Sequence, residues 1–385
     1  MTAVLPVRDA RASRPLTIGM IAPFRHALGE PHAGGLEAAL FDRVRMLRAR
    51  GHRVVLTAVE GSVPAPHPEL ALPPVVWADP ALASDSTFPP GHLPVAVEFL
   101  DRALDWFAAR RDVVDVIDNH NLHGAPLARA PGLGIPMLTT LHTPPLPSML
   151  DGWREAGRSA GSRFVSVSRH TQHEWQSAGL ASDLLHNAVD TTMWRFGRGG
   201  ADIVWFGRIV PEKAPHLAIL AARAAGARIV IAGRVGDSDY FATSVAPLLD
   251  DDARYVGPLR MRELAELVGS SGCALVTPVW EEPFGLVIAE ALSTGTPVAA
   301  FHVGGVGEVV GNNSGARLVP PNDLDALASA ARDLLDHHNG YRDRRRTRSE
   351  AARRFAVVHH VSRVEHHFHR AIASSADAEP IDAAI

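Results

Sequence analysis

A chain of 385 residues, 46% of them hydrophobic, has enough apolar side chains for two domains of ordinary size, each with its own core. A formal charge of -4 removes any global electrostatic pull toward nucleic acid or an anionic membrane surface. The single cysteine, Cys273, excludes an internal disulfide, and no apolar stretch nears the roughly 20 residues of a membrane span.

Residues 1–14 are polar and Arg-containing, without an apolar signal core, so a disordered tail on a cytoplasmic protein is expected. Residues 16–22 read as a first buried strand, Gly34 and Gly35 as a loop, 36–50 as an amphipathic helix and 53–59 as a second strand. The segment 61–94 is rich in proline and lacks a period, so a long surface connection is expected there. Short apolar runs at 113–117, 137–141 and 164–168 are further strands. A second βαβ series follows: strands at 203–206, 228–232, 255–256, 273–277 and 297–301, with a helix over 214–225. The glycine-rich stretch 196–200 marks the boundary, which divides the chain into domains 15–195 and 196–358. Residues 359–385 are expected as a C-terminal helix, returning to the first domain, and a tail. The fold class is α/β: two doubly wound parallel-sheet domains facing a cleft, with ligands at the carboxyl ends of the strands.

The segment TPVWEEPFGLVIAE, residues 277–290, carries the most chemistry. It ends a buried strand, turns at Pro283 and Gly285, and enters a helix whose free N–H groups and positive dipole end suit a phosphate. The amides of Phe284, Gly285 and Leu286 are therefore candidates for holding phosphate oxygens. Carboxylates repel phosphate but accept hydrogen bonds from hydroxyls beside it, so Glu282 is assigned to a hexose and Glu290 to a ribose. Arg208 and Lys213 follow a buried strand by one short loop, where both cations can face a diphosphate that gains charge on leaving. Gly34 and Gly35, lacking side chains, let backbone approach a ligand, and no full G-x-G-x-x-G fingerprint surrounds them.

These segments stand in a longer series: GRIVPEK (207–213), AGR (232–234), Val256 with Gly257, EPFGLVIAE (282–290), GTPV (295–298) and GGVGE (304–308). In the first half, GGLE (34–37), RGH (50–52), TTLH (139–142), VSVS (165–168) and NAVD (187–190) keep the same order. In order and spacing the chain resembles the GT-B retaining glycosyltransferases of family 4. The resemblance implies transfer of a hexose from a nucleoside-diphosphate sugar, UDP-glucose-like or GDP-mannose-like, to an acceptor hydroxyl with retention. It implies no bound metal and no cofactor besides the donor as co-substrate. The acceptor would be a sugar, a lipid-linked sugar or a small metabolite, with peripheral membrane contact left open. The resemblance makes His142 the residue beside the transferred sugar, adds Gly207 and Arg234 to the donor site, and gives the base to backbone near Gly233 and Val256. His120 and Asn121, at the equivalent place one strand before His142, are acceptor-side candidates. One departure stands out: Gly307 precedes Glu308 where the family usually has proline, which puts the contact of Glu308 with the donor in doubt.

Histidines 359, 360, 366, 367 and 369 cluster near the C-terminus, but Arg363 and Arg370 take the i+4 positions of His359 and His366. A solvated helix face is expected rather than a metal site. Two other functions share the donor half. A nucleotide-sugar 2-epimerase of this fold would convert the donor alone, and a non-catalytic binder would be expected to have lost some of Arg208, Lys213, Glu282 or His142.

Overall fold

The computed structural model describes residues 14–79, 85, 87–157 and 161–376, so the expected tail lies outside the described residues but for Arg14. The first unit alternates β1 (Thr17–Ile21), α1 (Gly35–Ala49), β2 (Arg53–Val59), β3 (Ala71–Leu72), α2 (His92–Ala108), β4 (Val116–Asn119), α3 (Ala125–Leu133), β5 (Met137–Leu141), α4 (Pro147–Ala156), β6 (Ser162–Ser166), α5 (Arg169–Ser177) and β7 (Asp183–Leu184). The second comprises β8 (Ile203–Phe206), α6 (Pro215–Ala224), β9 (Ile229–Ala232), α7 (Ser238–Tyr240), β10 (Ala253–Tyr255), α8 (Met261–Ser270), β11 (Cys273–Val276), α9 (Leu286–Thr294), β12 (Val298–Phe301), α10 (Val306–Val310), β13 (Ala316–Val319), α11 (Leu324–His337) and α12 (Tyr341–Phe355). The helix α13 (Val357–Ala376) closes the described chain.

The seven-stranded sheet has the order β3-β2-β1-β4-β5-β6-β7, and the six-stranded sheet the order β10-β9-β8-β11-β12-β13. Neighbouring strands run parallel in both. Parallel sheets carry helices on both faces, which is why the IVWF of β8 and the CALV of β11 are apolar without alternation and wholly buried. In each sheet the order reverses direction once, between β1 and β4 and between β8 and β11, and such switch points open a crevice at the strand ends.

The helix α13 belongs to the core of the first unit. Its Val361, Val364 and Phe368 pack with Leu40, Val44 and Val116, so the last described helix clamps back across the sheet of the first unit. In the second unit, Arg344 of α12 is fully buried and donates to the carbonyls of Gly197, Gly269 and Ser271, to Thr296 Oγ1 and to Asn339 Oδ1. Five acceptors around one guanidinium explain how a charge survives without water. Burial lowers its pKa to about 10.

The described residues of the segment 61–94 include regular structure that its composition does not suggest. It holds a helical turn at Pro68–Leu70 and the edge strand β3, and α2 begins within it. The helix α5, RHTQHEWQS, buries only Thr171 and Trp175, and so has no apolar stripe to read.

Candidate functional site

Both switch points face one another across the cleft. Gly34 is the N-cap of α1, with extended backbone, and a Cβ there would stand 3.3 Å from Arg208 Cδ of the other unit. A Cβ on Gly35 would lie 3.7 Å from Leu286. The bare backbone after β1 thus leaves room for the cation after β8 and for the start of α9.

The cations are held in a network. Arg208 Nη1 donates to Asp85 Oδ2 at 3.0 Å, Arg234 donates to the same oxygen, and His26 Nε2 lies 3.3 Å from Oδ1. Burial pushes the Asp85 carboxyl up, but the hydrogen bond from His26, the charge of Arg234 and the hydrogen bonds from Arg234 and Arg208 outweigh it and hold it well below the carboxylate range. Asp85 comes from the 61–94 connection, and nothing in that proline-rich stretch marks it as a site residue. Lys213 pairs with Glu282 Oε2, which also accepts from Trp280 Nε1 at 3.0 Å. Beneath them Gly207 and Gly233 meet backbone to backbone: a Cβ on Gly233, whose φ is +146°, would fall 1.8 Å from the Gly207 carbonyl oxygen. Only glycine fits that approach.

The helix α9 presents the expected terminus. Gly285 is its N-cap at φ +82°, and the amides of Phe284, Gly285 and Leu286 donate to no protein group among the described residues. Glu290 is 8% exposed and has no hydrogen-bond partner among the described residues. Burial first, and then the Asp42 carboxylate of α1, raise its pKa to about 8. Asp42, partly buried, rises to about 6. The backbone of Gly233 is committed: its N–H donates to Gly257 and its carbonyl accepts from Tyr255 Oη at 2.8 Å. Val256 is half-exposed beside it, at 43%.

On the first unit's side, His142 follows β5 and is partly exposed, with Nε2 2.8 Å from His120 Nδ1. His120 and Asn121, expected to meet an acceptor, are buried and engaged with the protein instead. His120 is 1% exposed between Asp118 and His142, and Asn121 donates to the Ala22 carbonyl while accepting from the His123 amide. They shape the wall and offer it no free polar edge. Asp118 takes two bonds from Arg43 of α1, at 2.7 and 2.9 Å. Neither Arg43 nor Asp118 stood out in the sequence, because a lone Arg on a helix and an Asp in a strand carry no spacing signal.

Glu308 is tied to the first unit. Its carboxylate lies 2.6 Å from His186 Nε2 and accepts from the Arg169 amide at the start of α5, also at 2.6 Å. Thr171 of α5 donates to the Pro283 carbonyl at 3.3 Å. These bonds join the two units beside the cleft. The space a residue other than glycine would need at 307 is filled, since a Cβ there would stand 2.3 Å from His302 Nε2.

The C-terminal histidines do not share one solvated face. His359 and His366 are exposed, but His367 is buried, and His360 reaches a small cavity lined also by Asp42, Arg43, His120, His142 and Asn187. Among the described residues no group of three or more His, Cys, Asp or Glu could hold a metal ion, and no helix is long and apolar enough to cross a membrane.

Two family models adjoin one another across residues 33–355. Residues 33–193 match Glycosyltransferase Family 4 and residues 194–355 match Glycosyl transferases group 1. The chain belongs to the group 1 glycosyltransferases of the GT-B fold. Among curated group 1 relatives, the glycogen synthase of Mycobacterium tuberculosis is 30% identical over 263 residues, 59% of this chain and 61% of that protein. The chain thus matches about three fifths of that relative's length. The D-inositol 3-phosphate glycosyltransferase of Mycobacterium avium is 35% identical over 172 residues, 40% of each protein. Among solved structures, sucrose-phosphate synthase from Thermosynechococcus elongatus superposes with a TM-score of 0.72 at 18% identity, covering 93% of this chain and 100% of that one. HepE from Anabaena, solved with UDP-glucose, gives 0.68 at 19% identity, covering 92% and 100%. Both share the two-sheet fold of this group 1 glycosyltransferase.

Proposed function

We propose that the protein transfers a hexose from a nucleoside-diphosphate sugar to an acceptor hydroxyl with retention at the anomeric carbon. One observation carries the reading: Arg208, Arg234 and Lys213, the unpaired amides at the start of α9 and the unpartnered Glu290 carboxyl are gathered around one cleft. The amides of Phe284 to Leu286 take the phosphates, Glu290 the ribose diol and Glu282 the hexose hydroxyls. Val256 borders the base. UDP-glucose is the first donor to try, because HepE holds it on the same fold.

In the reaction the bond between the anomeric carbon and the diphosphate breaks, and its electron pair stays on the leaving oxygen. Arg208, Lys213 and the α9 dipole stabilise that charge. The acceptor oxygen attacks from the same face, and its proton passes to a leaving phosphate oxygen. His142, neutral because burial and the nearby His120 and Arg43 hold its pKa well down, accepts a hydrogen bond from the hexose.

The experiment is incubation of the full chain with UDP-glucose, GDP-mannose or ADP-glucose and a panel of sugar, lipid-linked sugar and inositol acceptors, with detection of nucleoside diphosphate and glycosylated product. Product that forms, and that falls by orders of magnitude in Arg208→Ala, supports the reading. An epimerised donor without acceptor, or product formation unchanged in Arg208→Ala and Lys213→Ala, refutes it.

A further inference from the structure

A line of three side chains runs from the core of the first unit to the cleft. Asp118, fully buried, is gripped by both prongs of Arg43. His120 Nε2 lies 3.1 Å from Asp118 Oδ1, off the alignment of a regular hydrogen bond, and His120 Nδ1 lies 2.8 Å from His142 Nε2. His142 Nδ1 has no protein partner among the described residues and is not shut off from solvent. We infer that Asp118 and His120 are positioning residues that fix His142 as its Nε2–H tautomer, which leaves Nδ1 as a bare acceptor for a substrate hydroxyl.

The order of protons follows from which groups can accept. Burial alone would push the Asp118 carboxyl up, but Arg43 and His120 bring it to about 2, so it is an ionised acceptor without a proton to give. Both imidazoles are neutral: burial lowers each pKa and Arg43 lowers it further, and together these outweigh the Asp118 carboxylate, which raises both. A neutral His120 has one N–H. Were it on Nδ1, the Nε2 lone pair would face a carboxylate at 3.1 Å in a dry interior, a repulsion with nothing to offset it. The proton therefore sits on Nε2, Nδ1 accepts, and His142 Nε2 must be the donor at 2.8 Å. The one lone pair left on His142 is at Nδ1. A hexose or acceptor hydroxyl thus meets an acceptor, and a substrate carrying only a lone pair at that position is discriminated against.

This rests on the reading of His142 as the residue beside the transferred sugar, and the test separates the two. Long-range ¹H–¹⁵N spectra of the full chain, labelled at its 20 histidines and assigned at position 142 by difference against His142→Gln, report the tautomer without any substrate. The expected pattern at pH 7 is a protonated Nε2 and a bare Nδ1. An Nδ1–H tautomer or an imidazolium at position 142 overturns the inference, whatever the activity. In Asp118→Asn the amide can donate to His120 Nε2, so the line inverts and His142 becomes Nδ1–H. There kcat should fall by about tenfold to a hundredfold, the range for one mismatched buried hydrogen bond, with the donor KM little changed. A loss of kcat with the wild-type tautomer retained also overturns it. If Asp118→Asn fails to fold, the wild-type spectrum still decides. If the tautomer is as expected but His142→Ala transfers sugar at the wild-type rate, the positioning stands and the role of His142 in the proposed function falls.

Discussion

Replacing Asp85 by alanine should tighten donor binding, an unusual direction for a charge removed from a binding cleft. The Asp85 carboxylate occupies Arg208 and Arg234, which the proposed function gives to the diphosphate, so on that reading a donor has to displace it before those guanidiniums engage phosphate. A buried charge-assisted bond contributes roughly 1.5–3 kcal/mol net. The two guanidiniums are 28% and 31% exposed, where screening brings each pair down to about 1 kcal/mol or less. Removing the competitor should therefore lower the Kd for a nucleoside diphosphate by a factor of about 5 to 30, corresponding to ~1–2 kcal/mol. Isothermal titration of wild type, Asp85→Ala and Asp85→Asn with UDP, GDP and ADP measures this. An unchanged or weakened affinity in both variants would show that Asp85 does not compete with phosphate.

Other outcomes follow from the same geometry. Lys213→Ala should reduce single-turnover transfer by two to three orders of magnitude, the ~3 kcal/mol commonly lost with one preorganised charge, and a loss under threefold would remove Lys213 from the chemistry. Ribose hydroxyls donating to Glu290 favour its ionised form. Since its free pKa is about 8, donor affinity should rise with pH up to about 8 and then level, with a proton released on binding. Titration in buffers of different ionisation enthalpy checks this, and Glu290→Gln should abolish the dependence. The same carboxyl, raised above its ordinary value of 4.5, subtracts stability as pH climbs from about 4.5 to 8, so Glu290→Gln should flatten unfolding free energy across that window. Arg344→Met strands the carbonyls of Gly197, Gly269 and Ser271 and should cost about 3–5 kcal/mol in urea unfolding; a change below 1 kcal/mol would deny the guanidinium its structural role.

The second unit was the more legible in sequence, because its chemistry lies in contiguous signals. A buried strand, a glycine at positive φ and a helix start are neighbours in the chain, so EPFGLVIAE reports α9, Gly285 and Glu290 together. Residues that act through space were not legible. Asp85 reaches Arg208 from 123 positions away, Arg43 reaches Asp118 across 75, and Glu308 reaches His186 across 122. His120 and Asn121 show the converse error. Their place after a strand marked the right corner of the fold, but burial decides whether a side chain there touches a ligand or supports its neighbour. The polar helices α5 and α12 carry no apolar stripe for a sequence to show: α5 buries only Thr171 and Trp175, and two of the four residues that α12 buries are Arg344 and Thr347.

The central claim, that this cleft binds a nucleoside-diphosphate sugar, is tested most directly by thermal shift of wild type and Arg208→Ala against UDP-, GDP- and ADP-sugars. A bound donor stabilises the fold by mass action, so one base should raise the wild-type Tm by several degrees, with a much smaller shift in Arg208→Ala. No shift with any donor, or equal shifts in both proteins, would contradict the account.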